Sequence, residues 1–168
     1  MDGLTSRPDD RKELPVEVPS TGGSARVRLV GRADPRVLVA IALGAMLGAT
    51  ARYELATWMA VSPGGFPWPT FWTNVSGSLV LGALVVILIE RSSSSRYVRP
   101  FAGTGVLGAY TTFSTFSVET DLLIKAGHLA MALAYVAASL AVGLAAAWFG
   151  IAIGQRLSNL VIQRKERQ

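Results

Sequence analysis

The chain has 168 residues, 51% of them hydrophobic and only 16% charged, with a formal net charge of +5, whereas soluble domains carry about 25% charged residues. With no cysteine and a single histidine, His128, it has no disulfide framework, thiolate nucleophile or cysteine metal site, and it argues against a Ser-His-Asp triad or a multi-histidine zinc site. The basic residues sit in tails and short loops, which fits membrane flanks and not a nucleic-acid surface.

Residues 1–35 are polar and punctuated by Pro8, Pro15 and Pro19, with no apolar period. They predict a disordered basic tail, and with no apolar core before a small-residue cleavage site it does not read as a signal peptide. A first helical span is expected over about Val37–Ala60, interrupted by Arg52-Tyr53-Glu54 and closed by the Pro63–Pro67 turn. No charge lies between Val61 and Ile89, a gap of 29 residues, or between Ala126 and Gln155, a gap of 30. About 20 apolar residues cross a bilayer as a helix. The second span therefore runs over about Pro69–Ile89, and the fourth over about Gly127–Gln155. The third begins near Pro100 and ends among Glu119, Asp121 and Lys125, of which Glu119 and Asp121 are expected to reach the membrane interface, with support of a break in this helix as a second reading of Glu119. The expected fold is an all-α membrane protein of four transmembrane helices. Its four-helix transmembrane domain covers 36–158, and a basic tail follows over 159–168.

Polar residues stand where lipid-facing helices would carry Leu and Val. The second span contains Asn74, Ser76 and Ser78, and the third a dense run of hydroxyl residues from Tyr110 to Ser117. Such groups cost several kcal/mol in hydrocarbon if unpaired, so they face protein or water. Two readings stay open: hydrogen-bond glue between helices, or a path for a polar solute. Gly44-x-x-x-Gly48 and Gly150-x-x-x-Gly154 read as close helix contacts. Gly105 and Gly108 precede the β-branched pair Thr111-Thr112, a poor helix former, so the third helix is expected to break near its middle. A break frees backbone carbonyls, which are tolerated at membrane depth only when a cation or buried water binds them. Phe113 and Phe116 share a helix face among hydroxyls. Phenyl edges are electropositive and can attract an anion without a fixed charge.

Three patterns together resemble the Fluc (CrcB) family of bacterial fluoride channels. They are Gly44-Ala45-x-x-Gly48-Ala49-x-x-Arg52-Tyr53, then Thr70-x-x-x-Asn74-x-x-Gly77-Ser78-x-x-x-Gly82, then Gly105-x-x-Gly108-x-x-Thr111-Thr112-Phe113-Ser114-Thr115-Phe116-Ser117-x-Glu119. The resemblance covers about residues 37–155. It implies a fluoride-specific channel, not an enzyme, that lowers cytoplasmic fluoride by passive efflux. It also implies an antiparallel dimer with two pores in the bacterial plasma membrane. By the same resemblance Asn74 is the pore asparagine and Phe113 and Phe116 are the fluoride-facing rings. Tyr135 and Ser139 form a polar track at i, i+4, and Gly143 stands where another hydroxyl is common. A structural sodium ion, not transported, is implied at the backbone carbonyls of Gly108 and Thr111.

Fluoride is small and strongly hydrated, so its dehydration must be offset by many close donors. The Asn74 amide, the hydroxyls of Ser114, Thr115 and Ser139, and the phenyl edges are neutral donors. A fixed Lys or Arg in the pore would slow exit. Arg52 either raises anion concentration at a vestibule or snorkels or pairs with Glu54. The rival readings are a small proton-coupled multidrug exporter, for which the first span's only carboxylate is the off-centre Glu54, and a non-transporting assembly subunit. Four spans put both termini on one side, which then carries 14 basic residues against Arg52 and Lys125 on the other. That excess predicts cytoplasmic termini and one fixed orientation. An antiparallel dimer then calls for an oppositely oriented paralogue, unless some chains insert inverted.

Overall fold

The computed structural model describes residues 34–59, 61–90 and 96–166. The N-terminal tail expected over 1–35 falls outside these residues except for Asp34 and Pro35, as do the serines at 92–95.

Helix α1 spans Pro35–Trp58. Asp34 caps it, its side chain accepting from Arg36 N at 3.0 Å, and Pro35 follows at the first helical position, where a missing N–H costs nothing. Arg52 and Glu54, expected to interrupt this span, are accommodated inside the helix near its end. The turn after α1 has Gly65 N donating to Ser62 O at 2.9 Å, with Pro63 and a left-handed Gly64 (φ 72°) between. That is the Pro-Gly chemistry of a type II turn. Helix α2 covers Trp68–Glu90.

The next stretch is discontinuous. A π-helix, Pro100–Leu107, passes into one α-helical turn, α3, at Gly108–Tyr110. Thr111 (φ −76°, ψ 155°) and Thr112 (φ −148°, ψ 120°) are extended, and α4 starts at Phe113 and runs to Lys125. The chain reverses through Ala126 and Gly127, whose φ of 81° suits glycine at a helix C-terminus. Helix α5, Leu129–Glu166, has 38 residues. It carries the fourth span well beyond Gln155, so residues 159–166 of the expected tail continue the helix. By length and composition, Pro35–Trp58, Trp68–Leu88 and Leu129–Leu160 can each cross a membrane.

Small residues decide the packing. A Cβ on Gly44 or Gly48 would overlap the carbonyl oxygens of Phe101 or Val106, so α1 lies backbone to backbone on the π-helix. In the same way Gly82 of α2 abuts the Ala147 carbonyl, and Gly150 of α5 abuts that of Leu79. Both glycine pairs read from the sequence as close contacts are such contacts. Large side chains point outward instead: Leu43, Met46, Leu133, Leu144 and Trp148 are all exposed. This inside-out distribution suits lipid, where apolar burial gives no driving force between helices and close packing must. Gly150→Ala is accordingly expected to overpack the α2–α5 seam at a cost of about 1–3 kcal/mol. The check is the thermal unfolding midpoint of the purified protein; no change would mean that the seam opens freely.

At the turn end, Phe66, Phe71, Phe116 and Tyr135 form an aromatic core with Leu123 and Ala132. Phe66 meets Phe71 and Tyr135 edge-on at centroid distances of 5.3 Å each. At the other end Asp34 pairs with Arg96 at 3.5 Å, and the Arg99 guanidinium donates to the Leu88 carbonyl, tying α1 and α2 to the approach to the π-helix.

Candidate functional site

The interruption at Thr111-Thr112 is built into a hydrogen-bond scaffold. Asn74, on α2, donates from Nδ2 to Thr112 O at 3.0 Å and accepts from Thr112 N at Oδ1 at 2.8 Å. The amide thus takes the place of the helical acceptor of the Thr112 N–H and adds a donor to the Thr112 carbonyl. The Thr112 N–H no longer goes to the carbonyl of Gly108, four residues earlier, and that carbonyl is freed. The Thr111 hydroxyl donates to Leu107 O at 2.9 Å, which helps close α3. The Thr112 hydroxyl accepts from Thr115 N at 3.1 Å and so caps α4. One residue therefore ends one helix through its backbone and begins the next through its side chain.

Beside this junction lies a cavity of about 370 Å³. Asn74, Gly108, Thr111, Phe113, Phe116 and Ser139 all line it, with Thr112, Ser78 and Gly103. Ser139 Oγ is buried there with no hydrogen-bond partner, and an unpaired buried hydroxyl is costly unless something polar occupies the space. The ring of Phe113 is 80% exposed, which is unusual for a phenylalanine at a helix start. Its centroid lies 5.9 Å from that of Phe116, which in turn packs on Tyr135 at 5.1 Å. A Cβ on Gly108 would meet only Gly103 O, at 3.7 Å. Sterics do not demand glycine there; a side chain would instead enter the cavity.

The other sequence-predicted residues fall elsewhere. Arg52 and Thr115 line a second cavity of about 550 Å³ with Thr70, Thr73 and Glu119. Arg52 forms no ion pair with Glu54, so of its open readings the pairing one is not realised. Ser114 is exposed, its hydroxyl 3.2 Å from that of Thr112. Tyr135 lines neither cavity: it is 0% exposed, and its hydroxyl donates to Glu119 Oε2 at 2.8 Å. Thr70 donates to the other carboxyl oxygen, also at 2.8 Å. Glu119 is half-buried, and these two hydroxyls satisfy its carboxylate. Thr112 lines both cavities and stands between them.

Sequence reasoning missed Thr112 and Thr70 as site residues. The i, i+4 spacing of Thr70 and Asn74 puts them on one face, and that was the available signal.

Among the described residues no group of three or more His, Asp or Glu side chains could hold a metal ion. What the junction offers a cation is backbone carbonyl oxygen, the Gly108 carbonyl foremost, since its helical donor is taken by Asn74. Hard oxygen donors of this kind suit an alkali cation such as sodium at an unwound helix.

The sequence profile described as "CrcB-like protein, Camphor Resistance (CrcB)" matches residues 39–151. The chain belongs to the CrcB family. The match covers every residue named as lining the two cavities. Among its CrcB relatives, a protein of Streptomyces avermitilis named "Fluoride-specific ion channel FluC 2" is 47% identical over 116 residues, 69% of this chain and 73% of the relative. "Fluoride-specific ion channel FluC 1" of Streptomyces coelicolor is 40% identical over 148 residues, 84% and 96% of the two chains. "Fluoride-specific ion channel FluC 2" of Symbiobacterium thermophilum is 46% identical over 114 residues, 67% and 93%. With three helices of spanning length and a membrane-channel family, this CrcB protein is a multi-pass membrane protein.

Proposed function

We propose that this chain is a fluoride-specific channel that lowers cytoplasmic fluoride by passive efflux. The observation that carries the reading is the cavity shared by Asn74, Phe113, Phe116 and the unpartnered hydroxyl of Ser139. It offers neutral donors and ring edges and no fixed cation. The names of the relatives support fluoride as the ion.

In this reading the chain's own groups replace the water shell of the ion. Asn74 commits one N–H to Thr112 O and keeps its second amide proton for the cavity. Ser139 donates its free hydroxyl proton, and the phenyl edges of Phe113 and Phe116 supply diffuse positive charge. The start of α4 adds the positive end of a helix dipole. Each contribution is weak and several act in series, which lets the ion leave as readily as it enters. Arg52, in the second cavity, draws anions toward the entrance. Sodium held by the carbonyls of Gly108 and Thr111 would supply a fixed structural charge that is not transported.

The proposal extends to assembly. Two chains in opposite orientations form the dimer in the bacterial plasma membrane. The basic excess of 14 to 2 supports a cytoplasmic side for both termini of this chain, which makes an oppositely oriented paralogue the simplest partner. The test in cells uses a bacterium stripped of its own fluoride exporters. Expression of this chain, alone or with its paralogue, is expected to restore growth in millimolar-range fluoride and lower internal fluoride. Unchanged fluoride sensitivity with the protein in the membrane would refute the reading.

A further inference from the structure

Helix α2 meets the interrupted segment with three residues out of four. Asn74 holds Thr112 by two hydrogen bonds, and Gly77 leaves room for the Thr111 methyl, which a Cβ there would strike. Between them Ser76 Oγ lies 2.9 Å from the Tyr110 hydroxyl. The direction of that bond follows from proton counting. Ser76 has one hydroxyl proton, and its oxygen is 2.6 Å from Trp72 O and 3.3 Å from Thr73 O, both acceptors only. Its proton goes to those carbonyls, so the Tyr110 phenol is the donor to Ser76.

Tyr110 is the last residue of α3, the turn whose end carries the freed carbonyls. Its backbone is held from the opposite side as well: a Cβ on Gly48 of α1 would come within 3.0 Å of Tyr110 N. The turn is thus wedged between α1 and α2, and the phenol–serine bond fixes its rotation about that wedge. Neither Ser76 nor Tyr110 lines either of the two cavities described above, so an effect on ions held there passes through the backbone.

We infer that Ser76 and Tyr110 are positioning residues: their hydroxyl pair fixes the direction of the carbonyls presented by Gly108–Thr111 and thereby the affinity of the interruption for sodium. This rests on the channel reading with its sodium site.

The test uses purified full-length protein, with melting temperature and fluoride efflux followed across a sodium series at constant ionic strength, N-methyl-D-glucamine replacing sodium. Tyr110→Phe and Ser76→Ala are each expected to raise the sodium concentration giving half of the thermal stabilisation by about two- to tenfold, the worth of one hydrogen bond. The double variant should show no further shift, Ser76→Thr should stay near the parent, and flux at saturating sodium should recover. A lower melting temperature at every sodium concentration with an unmoved midpoint would overturn the inference, leaving the pair as interhelical glue. A parent protein whose melting ignores sodium would overturn it too. A sodium-responsive parent with the expected midpoint shifts but no fluoride flux would uphold the clamp and refute the channel reading.

Discussion

Replacing Phe113 or Phe116 by isoleucine is expected to cut fluoride flux by about two- to twelvefold, equivalent to losing a ring-edge interaction of about 0.5–1.5 kcal/mol. Isoleucine keeps much of the volume and removes the electropositive edge. The two positions differ in what else they lose. Phe113 is 80% exposed in the single chain, so its replacement should leave folding intact. Phe116 packs on Tyr135 within the aromatic core, so Phe116→Ile should also lower the unfolding midpoint modestly. The measurement pairs initial efflux rates from proteoliposomes with the dimer fraction by size-exclusion chromatography. Normal conduction in both variants would make the rings packing residues and remove edge-on coordination from the mechanism.

A single orientation in the membrane is the second large effect expected. The ion pair between Asp34 and Arg96 and the bond from Arg99 to Leu88 O place the start of α1, the end of α2 and the approach to the π-helix at one end of the molecule. Arg36, Arg96, Arg99 and Arg156 are exposed there. Without the distal Arg7, Arg11 and Lys12 the basic count for that side is still 11 against 2, and residues within about 15–20 positions of a span carry the rule. A cysteine introduced in the Ser62–Pro67 turn of intact cells should label from outside, and one near Ser93 should not. Comparable labelling at both sites, with this gene expressed alone, would replace the paralogue pairing by a dual-topology homodimer.

The helices and their order were legible because uncharged stretches of bilayer length are a strong signal, and because Gly44, Gly48, Gly150 and Gly154 recur at the four-residue interval of close-packed helices. The position of the interruption was legible from Thr111-Thr112 after glycine. Its construction was not. No local pattern shows that the Asn74 amide pairs with the backbone of Thr112, a contact 38 residues distant in sequence. For the same reason the partners of Glu119 were not legible: Thr70 and Tyr135 come from other helices. Tyr135 and Ser139 share a face, as their spacing requires, yet only Ser139 reaches the cavity, because the Glu119 carboxyl and the ring of Phe116 engage Tyr135 first. Periodicity assigns a residue to a face; which neighbour claims it is decided by packing.

Fluoride efflux from proteoliposomes made with the purified protein is the direct test of whether this chain conducts fluoride. Liposomes loaded with potassium fluoride and containing the protein, alone or with its oppositely oriented partner, are diluted into fluoride-free medium, and valinomycin is added to carry the balancing potassium. A fluoride electrode should then record rapid release that starts on valinomycin addition, while the same vesicles loaded with chloride release almost none. Fluoride release no faster than from protein-free liposomes, with both preparations correctly folded, would contradict the account.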